Sequence, residues 1–122
     1  MRRILIVDDE PNFREPLAGV LRQHYEVWTA ASAEEVLAQI HADGSQCPDA
    51  LVVDVMLGSH VSGVELATSI YALCPRVRTV LVTGFPPPPS QKLVGTAGIV
   101  AIVEKPCDVD TIRNALNLPP PP

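Results

Sequence analysis

The feature that most constrains the fold is a run of four apolar residues, 50–53, that ends in a single carboxylate at Asp54. Val55 and Met56 continue the apolar run directly behind it. Short apolar runs rich in β-branched residues are typical of strands that are buried on both faces, as in parallel sheets. A charge in such a run is costly unless it lies at the strand's exposed end beside a partner. Because parallel α/β sheets bind ligands beyond the carboxyl ends of their strands, the pattern predicts that Asp54 faces a site.

Strand patterns alternate with helix patterns along the chain. The predicted strands span residues 3–7, 26–30, 50–56, 77–82 and 99–103. Amphipathic helix patterns follow the first, second, third and fifth of them. This order predicts an α/β fold with one doubly wound, five-stranded parallel sheet and helices on both faces.

Local signals mark where individual helices begin or fail. Pro11 suits a first helical position, and Pro16 predicts that the first helix either bends there or begins there. Ser32 and Glu35 form a capping box, and Asp108 is a plausible N-cap for the last helix, 108–118. Between the fourth and fifth strands the four prolines at 86–89 predict a short or missing helix.

The predicted strand ends carry the polar residues. Asp8 and Asp9 follow the first strand, Asp54 ends the third, Thr83 follows the fourth and Lys105 follows the fifth. In a parallel sheet these ends share one edge, so the side chains are expected to meet in one pocket. Carboxylates suit Mg²⁺, while the lysine and the threonine suit a phosphate. The central carboxylate, Asp54, is then the expected nucleophile for phosphoryl transfer.

Composition narrows the function classes. The 122 residues fit one domain, which we place at residues 1–118, with a proline-rich tail or linker start at 119–122. A net charge of −5 argues against nucleic-acid contact and binding to anionic membranes. No apolar run approaches the roughly 20 residues that span a bilayer. Cys47, Cys74 and Cys107 are widely spaced and odd in number, which predicts free thiols and a cytoplasmic location.

Five segments together resemble the receiver domain of bacterial response regulators, the flavodoxin-like module that sensor histidine kinases phosphorylate. The segments are residues 4–11, 51–57, 63–66, 80–84 and 103–106. The resemblance covers residues 2–118. It implies that Asp54 accepts a phosphoryl group from a sensor histidine kinase or a phosphotransfer protein, and that the domain signals to an output domain or a downstream effector. It also implies that the domain is not an enzyme, except that it catalyses its own phosphorylation and dephosphorylation.

The resemblance also assigns ligands. It implies that Asp9 and Asp54 bind Mg²⁺, that Met56 adds its backbone carbonyl, and that Asp8 acts largely through water. Thr83 and Lys105 would bind the phosphate. The peptide bond that follows this lysine, to Pro106, would be cis.

Some positions depart from the family pattern. Gly58 stands where the family usually has proline, and the loop from there to Gly63 is one residue longer than the common form. Ile102 replaces the usual switch aromatic, and Cys107 stands where phenylalanine is common. The replacement of the aromatic by Ile102 puts the family's usual coupling between the site threonine and that aromatic in doubt.

The sequence leaves two other functions open. A haloacid-dehalogenase-type hydrolase also uses an aspartyl phosphate, but it needs an Asp-x-Asp pattern on strand one, which Asp8, Asp9 and Glu10 do not form. A phosphorylation-independent, receiver-like interaction module would keep the fold without the chemistry. The altered fourth helix and Ile102 favour the module, whereas the full acidic pocket with Thr83 and Lys105 argues against it.

Overall fold

A computed structural model of the protein describes residues 3–40, 47–58, 61–84 and 91–118. In these ranges five strands alternate with four α-helices and one 3-10 turn. The strands are β1 (Arg3–Val7), β2 (Glu26–Ala30), β3 (Ala50–Asp54), β4 (Arg78–Thr83) and β5 (Ile99–Glu104). The helices are α1 (Pro11–Leu21), α2 (Ala33–Ile40), α3 (Gly63–Leu73) and α4 (Val109–Ala115).

The strands form one parallel sheet in the order β2-β1-β3-β4-β5. This arrangement confirms the predicted flavodoxin-like, doubly wound α/β fold. The central strand is β3, between β1 and β4, and all five of its residues are buried. Asp54 is its last residue and pairs with Val82 of β4. The strand therefore carries one carboxylate out of the core to the edge where the other strands also end.

Strand alternation divides the core between the two faces of the sheet. On β1, Leu5 and Val7 belong to the apolar cluster that α2 and α3 cover. Ile4 and Ile6 point the other way, into the cluster that α1 and α4 cover. Because both faces are covered by helices, the central strands are apolar throughout, which is the pattern seen in the sequence.

The first helix begins at Pro11 and runs to Leu21, with Pro16 inside it. Of the two predictions for Pro16, a helix start at that residue is therefore wrong. A proline at the first helical position costs no intrahelical hydrogen bond, because that N–H has no partner within the helix. This early start places the first turn of α1 directly after Asp8 and Asp9, beside the carboxyl ends of the strands.

Side-chain caps begin the other helices as their sequences indicate. Ser32 Oγ accepts a hydrogen bond from the Glu35 N–H at 3.3 Å, and Glu35 Oε2 accepts one from the Ala31 N–H at 2.9 Å. The Glu35 carboxylate thus reaches one residue before the serine. Asp108 is the N-cap of α4 and accepts a hydrogen bond from the Thr111 N–H at 2.8 Å. The helix ends at Ala115, three residues earlier than predicted.

The connection between β4 and β5 lacks a regular helix over its described residues, 91–98. Only a 3-10 turn at Gln91–Leu93 is present there, which confirms the prediction of a short or missing helix. The prolines at 86–89 lie outside the described residues. Among the helices of the described ranges, none has both the length and the apolar character to cross a bilayer.

Cys47 and Cys74 form a disulfide, with their Cα atoms 5.6 Å apart. The prediction of three free thiols is therefore wrong for these two residues, and Cys107 alone is a free cysteine among the described residues. Their sequence separation of 27 hides their proximity, because α3 runs back along β3 and ends near the start of that strand. Since disulfides persist mainly in oxidising compartments, the cysteines no longer support a cytoplasmic location.

We predict that reducing this disulfide lowers the free energy of unfolding by about 3–4 kcal/mol, because the cross-link restricts a loop of this length in the unfolded chain. Urea unfolding with and without dithiothreitol measures the effect. Cys107→Ala should retain the sensitivity to reductant, and Cys47→Ser should lose it. Equal free energies of unfolding for the oxidised and reduced wild-type protein would contradict the prediction.

Candidate functional site

Asp54 lies at the end of β3 with only 4% of its surface exposed. Its Oδ1 accepts a hydrogen bond from the Met56 N–H at 2.9 Å. Its Oδ2 accepts one from Lys105 Nζ, also at 2.9 Å. Both oxygens thus have a donor, which explains how a buried strand tolerates a carboxylate.

The acidic residues that follow β1 lie beside Asp54. Asp8 is 1% exposed, whereas Asp9 and Glu10 are exposed. Asp8 Oδ1 accepts a hydrogen bond from the Glu10 N–H at 2.8 Å. Each of the four carboxylates offers one oxygen to a group in which all the oxygens lie within 4.8 Å of one another. The predicted convergence of the strand ends is therefore confirmed for the acids.

Lys105 brings the positive charge to this group. Its backbone N–H donates to the carbonyl of Thr83 at 2.8 Å, which fixes the end of β5 beside the end of β4. Its Nζ lies 2.9 Å from Asp8 Oδ2, 2.9 Å from Asp54 Oδ2 and 3.2 Å from Glu10 Oε1. The Asp8 contact has the distance of an ion pair but not the angles of a hydrogen bond. One ammonium thus joins carboxylates from two neighbouring strands and from the residue that precedes α1.

Thr83 and Met56 complete the predicted set. Thr83 is the last residue of β4 and is 4% exposed, one position beyond the partner of Asp54 in the strand register. Met56 lies just past β3 and is 56% exposed. The Lys105–Pro106 peptide bond is cis, as the resemblance implies. All the predicted site residues therefore lie at the carboxyl-terminal edge of the sheet.

The titration behaviour of the cluster follows from its crowding. Burial raises the pKa of Asp8; the Glu10 N–H and Lys105 oppose this shift and the Asp54 charge adds to it, so the pKa is raised overall. Burial alone would lower the pKa of Lys105, but its ion pair with Asp8 and its hydrogen bond with Asp54 raise the pKa well above the usual range. The two shifts therefore have different main causes: burial for Asp8, and pairing with two carboxylates for Lys105.

Sequence reasoning missed three residues around the lysine. The sequence marks Glu10 only as the last of three consecutive acids, yet its carboxylate pairs with Lys105. The ring centroid of Phe13 lies 4.6 Å from Lys105 Nζ, in a cation–π contact, and Arg14 Nη1 donates to the backbone carbonyl of Asp8 at 2.7 Å. The available signal was the spacing of these three residues, at i, i+3 and i+4. That spacing places side chains on one face of a helix.

The donor set fits a hard divalent cation. Mg²⁺ prefers oxygen ligands and typically binds through one or two carboxylates together with waters and a phosphate. Here four carboxylate oxygens converge, and the negative charge of the cluster exceeds the single positive charge of Lys105. The residues present therefore fit the predicted metal.

The loop after Asp54 is held close to the strand by Gly63, the first residue of α3. Its N–H donates to the Val55 carbonyl at 2.9 Å. A Cβ at this position would lie 2.0 Å from the backbone oxygen of Asp54 and 2.9 Å from the Cα of Val55. These are backbone atoms, so they cannot move aside as a side chain can. The absence of a side chain at this residue lets α3 begin against the end of β3.

Gly63→Ala should therefore lower the free energy of unfolding by about 2 kcal/mol or more, since the new methyl group overlaps backbone atoms. The matched control is Gly19→Ala in α1, where an added Cβ meets no atom within 4 Å in the part of the chain that the structure describes. That control should gain up to about 1 kcal/mol from the helix propensity of alanine. Urea unfolding of both variants and the wild-type protein measures this, and a Gly63→Ala variant as stable as the control would refute the close contact.

Asp8→Asn should raise the free energy of unfolding at pH 7 by about 1 kcal/mol, the size of a typical single substitution. The raised pKa of Asp8 means that its charged form costs stability at this pH. The gain should shrink as the pH falls through that raised pKa, because the wild-type carboxyl then takes up a proton. Denaturation in EDTA across this pH range measures it. The exposed control Asp110→Asn, which removes an ion pair with Arg113, should not be stabilised, and a destabilised Asp8→Asn would overturn the prediction.

Comparison with known proteins places this site in a family. The family model of the response regulator receiver domain matches residues 4–117. Among curated relatives, the nitrogen assimilation regulatory protein NtrX of Azorhizobium caulinodans is 33% identical over 111 residues. That match covers 89% of this chain and 24% of the relative, so the chain spans about a quarter of that protein.

Solved structures agree with the sequence comparison. The response regulator TrrA of Thermotoga maritima, solved with Mg²⁺–BeF, has a TM-score of 0.76 at 29% identity over 96% of this chain and 97% of that one. A response regulator of Burkholderia pseudomallei, solved with a phosphorylated aspartic acid, a calcium ion and citrate, has a TM-score of 0.77 at 29% identity. The match covers 95% of this chain and 66% of the Burkholderia chain. The chain belongs to the response regulator receiver domain family.

Proposed function

We propose that this domain accepts a phosphoryl group on Asp54 from a phosphohistidine, in a Mg²⁺-dependent reaction, and changes conformation to pass on the signal. One observation carries the proposal: Asp54 is a buried carboxylate at the end of the central strand, 2.9 Å from Lys105 Nζ and grouped with three further acids. The structures of the relatives with a phosphorylated aspartic acid or with Mg²⁺–BeF support it by analogy.

In the proposed reaction a carboxylate oxygen of Asp54 attacks the phosphorus of the donor. The new O–P bond forms as the P–N bond to the donor imidazole breaks, and the leaving imidazole keeps the electron pair and takes up a proton. An acyl phosphate on Asp54 and a neutral histidine result. Phosphoryl transfer of this kind depends mainly on positioning and on stabilisation of charge.

Lys105 is proposed to stabilise that charge. Its Nζ now bonds the carboxylate oxygen of Asp54, so a phosphoryl group on that carboxylate would present its own oxygens to the same ammonium. Thr83, buried at the end of the neighbouring strand, is proposed to donate a hydrogen bond to the phosphoryl group. These two residues would hold the group in place after transfer.

The metal site is proposed to consist of Asp9 and Asp54 with the backbone carbonyl of Met56, and Asp8 is proposed to act through water. When bound, Mg²⁺ would neutralise charge on the transferring phosphoryl group. A hydrogen bond directly after β3 sets the position of Met56, because the Met56 N–H donates to the Asp54 carboxylate. That hydrogen bond orients the Asp54 carboxylate toward the acids that follow β1.

The partners follow from the same proposal. The phosphodonor is a sensor histidine kinase or a phosphotransfer protein, and the receiver of the signal is an output domain or a downstream effector. A net charge of −5 disfavours contact of this domain with nucleic acid or an anionic membrane surface. From the family resemblance we also propose a cytoplasmic location. We propose as well that the domain catalyses only its own phosphorylation and dephosphorylation.

Incubation of the protein with acetyl phosphate and Mg²⁺, followed by mass spectrometry of peptides, tests the proposal. The phosphoryl group should appear on Asp54 and should be absent in EDTA. Asp54→Asn should abolish labelling, because an amide is a poor nucleophile, whereas the exposed control Asp110→Asn should be labelled like the wild-type protein. A label on another residue would overturn the assignment, and no label at all would favour the phosphorylation-independent interaction module.

A further inference from the structure

The loop between β3 and α3 touches the acidic cluster at one unusual position. Gly58 has a φ of +64°, a left-handed conformation that residues with a side chain rarely adopt. A Cβ built on it would lie 2.8 Å from Asp9 Oδ2 and 3.9 Å from Asp9 Cγ. Among the described residues, these are the two atoms that the Cβ would meet within 4 Å. The carboxylate of Asp9 thus occupies the space that any side chain at residue 58 would need.

We propose that Gly58 is a positioning residue for the metal site. By carrying no side chain, it lets the Asp9 carboxylate lie against the loop backbone and remain with the carboxylates of Asp8 and Asp54. This inference rests on the proposed function only in taking the acidic cluster as a Mg²⁺ site. It assigns to this glycine a role in the affinity for the ion and none in the chemistry of transfer.

The loop backbone is the fixed partner in this contact. The residue before Gly58, Leu57, is 3% exposed and packs in the core cluster under α2 and α3. Asp9 is exposed, and its contact atom is the end of a short side chain. A methyl group at residue 58 would therefore be accommodated by rotation of the carboxylate, because retreat of the loop would pull a buried leucine from the core. The rotation would remove one ligand from the cluster.

The residue that the family usually has at this position could not serve here. Proline holds φ near about −65°, which is opposite in sign to the +64° of Gly58. The loop that follows Asp54 in this chain therefore has a backbone conformation that proline excludes. Glycine in place of proline therefore permits the backbone conformation that brings Asp9 against the loop.

A titration with Mg²⁺ alone, measured by isothermal titration calorimetry, tests the role. Gly58→Ala should weaken Mg²⁺ binding by about tenfold, the loss typical when a residue that orients a metal ligand is changed. The matched control is Gly95→Ala. Gly95 also has a left-handed φ, +94°, but an added Cβ there meets no atom of the described residues within 4 Å. Both variants carry the same kind of backbone strain, so both should lose stability to urea, and only the first should lose affinity.

The outcomes separate the inference from the proposed function. Wild-type affinity in Gly58→Ala, or an equal loss in Gly95→Ala, overturns the role of Gly58 while labelling of Asp54 by acetyl phosphate still stands. No Mg²⁺ binding by the wild-type protein overturns the inference together with the proposed metal site. If Gly58→Ala does not fold, Gly58→Asn takes its place, because asparagine enters the left-handed region more readily and still carries a Cβ.

Discussion

The ion-pair cluster around Lys105 is the interaction on which the site depends. Its ammonium lies 2.9 Å from carboxylate oxygens of both Asp8 and Asp54, two residues from different strands that would otherwise repel each other. Removing the lysine would leave these buried carboxylates without a compensating charge, which is strongly destabilising. The lysine therefore sets how closely the acids can approach while all of them remain at one edge of the sheet.

The backbone hydrogen bonds of the sheet place this lysine. Its own N–H bonds the carbonyl of Thr83, and the Val55 N–H bonds the carbonyl of Val82, so three neighbouring strands end in register. The aromatic ring of Phe13 then borders the ammonium from the first turn of α1. The position of a single side chain thus depends on the sheet and on one helix that covers it.

Much of this arrangement could be predicted from the sequence, for a physical reason. The alternation of buried strands with amphipathic helices determines a parallel sheet, and a parallel sheet brings all strand ends to one edge. The convergence of Asp8, Asp54 and Lys105 follows from that topology without knowledge of any distance. The prolines at 86–89 likewise predicted a short or missing helix, because proline offers no backbone donor, and the described residues 91–98 form only a 3-10 turn.

The sequence could not predict contacts that depend on how a helix packs back against a strand. The partnership of Cys47 with Cys74 requires the length and direction of α3, and the separation of 27 residues contains no such signal. The contacts of Glu10 and Phe13 with Lys105 depend on where α1 begins, which the two prolines left open. The left-handed backbone of Gly58 is a property of a loop, for which hydrophobic periodicity gives no guide.

These unpredicted contacts act together on the unit formed by β3 and α3. At the carboxyl-terminal end of β3, the Gly63 N–H bonds the Val55 carbonyl, and the helix begins within contact distance of the Asp54 backbone. At the opposite end, the disulfide joins Cys47, which precedes the strand, to Cys74, which follows the helix. The strand and its helix are therefore fastened to each other at both ends. Crowding carboxylates at one edge costs stability, and this double attachment offsets it in the element that carries the central carboxylate.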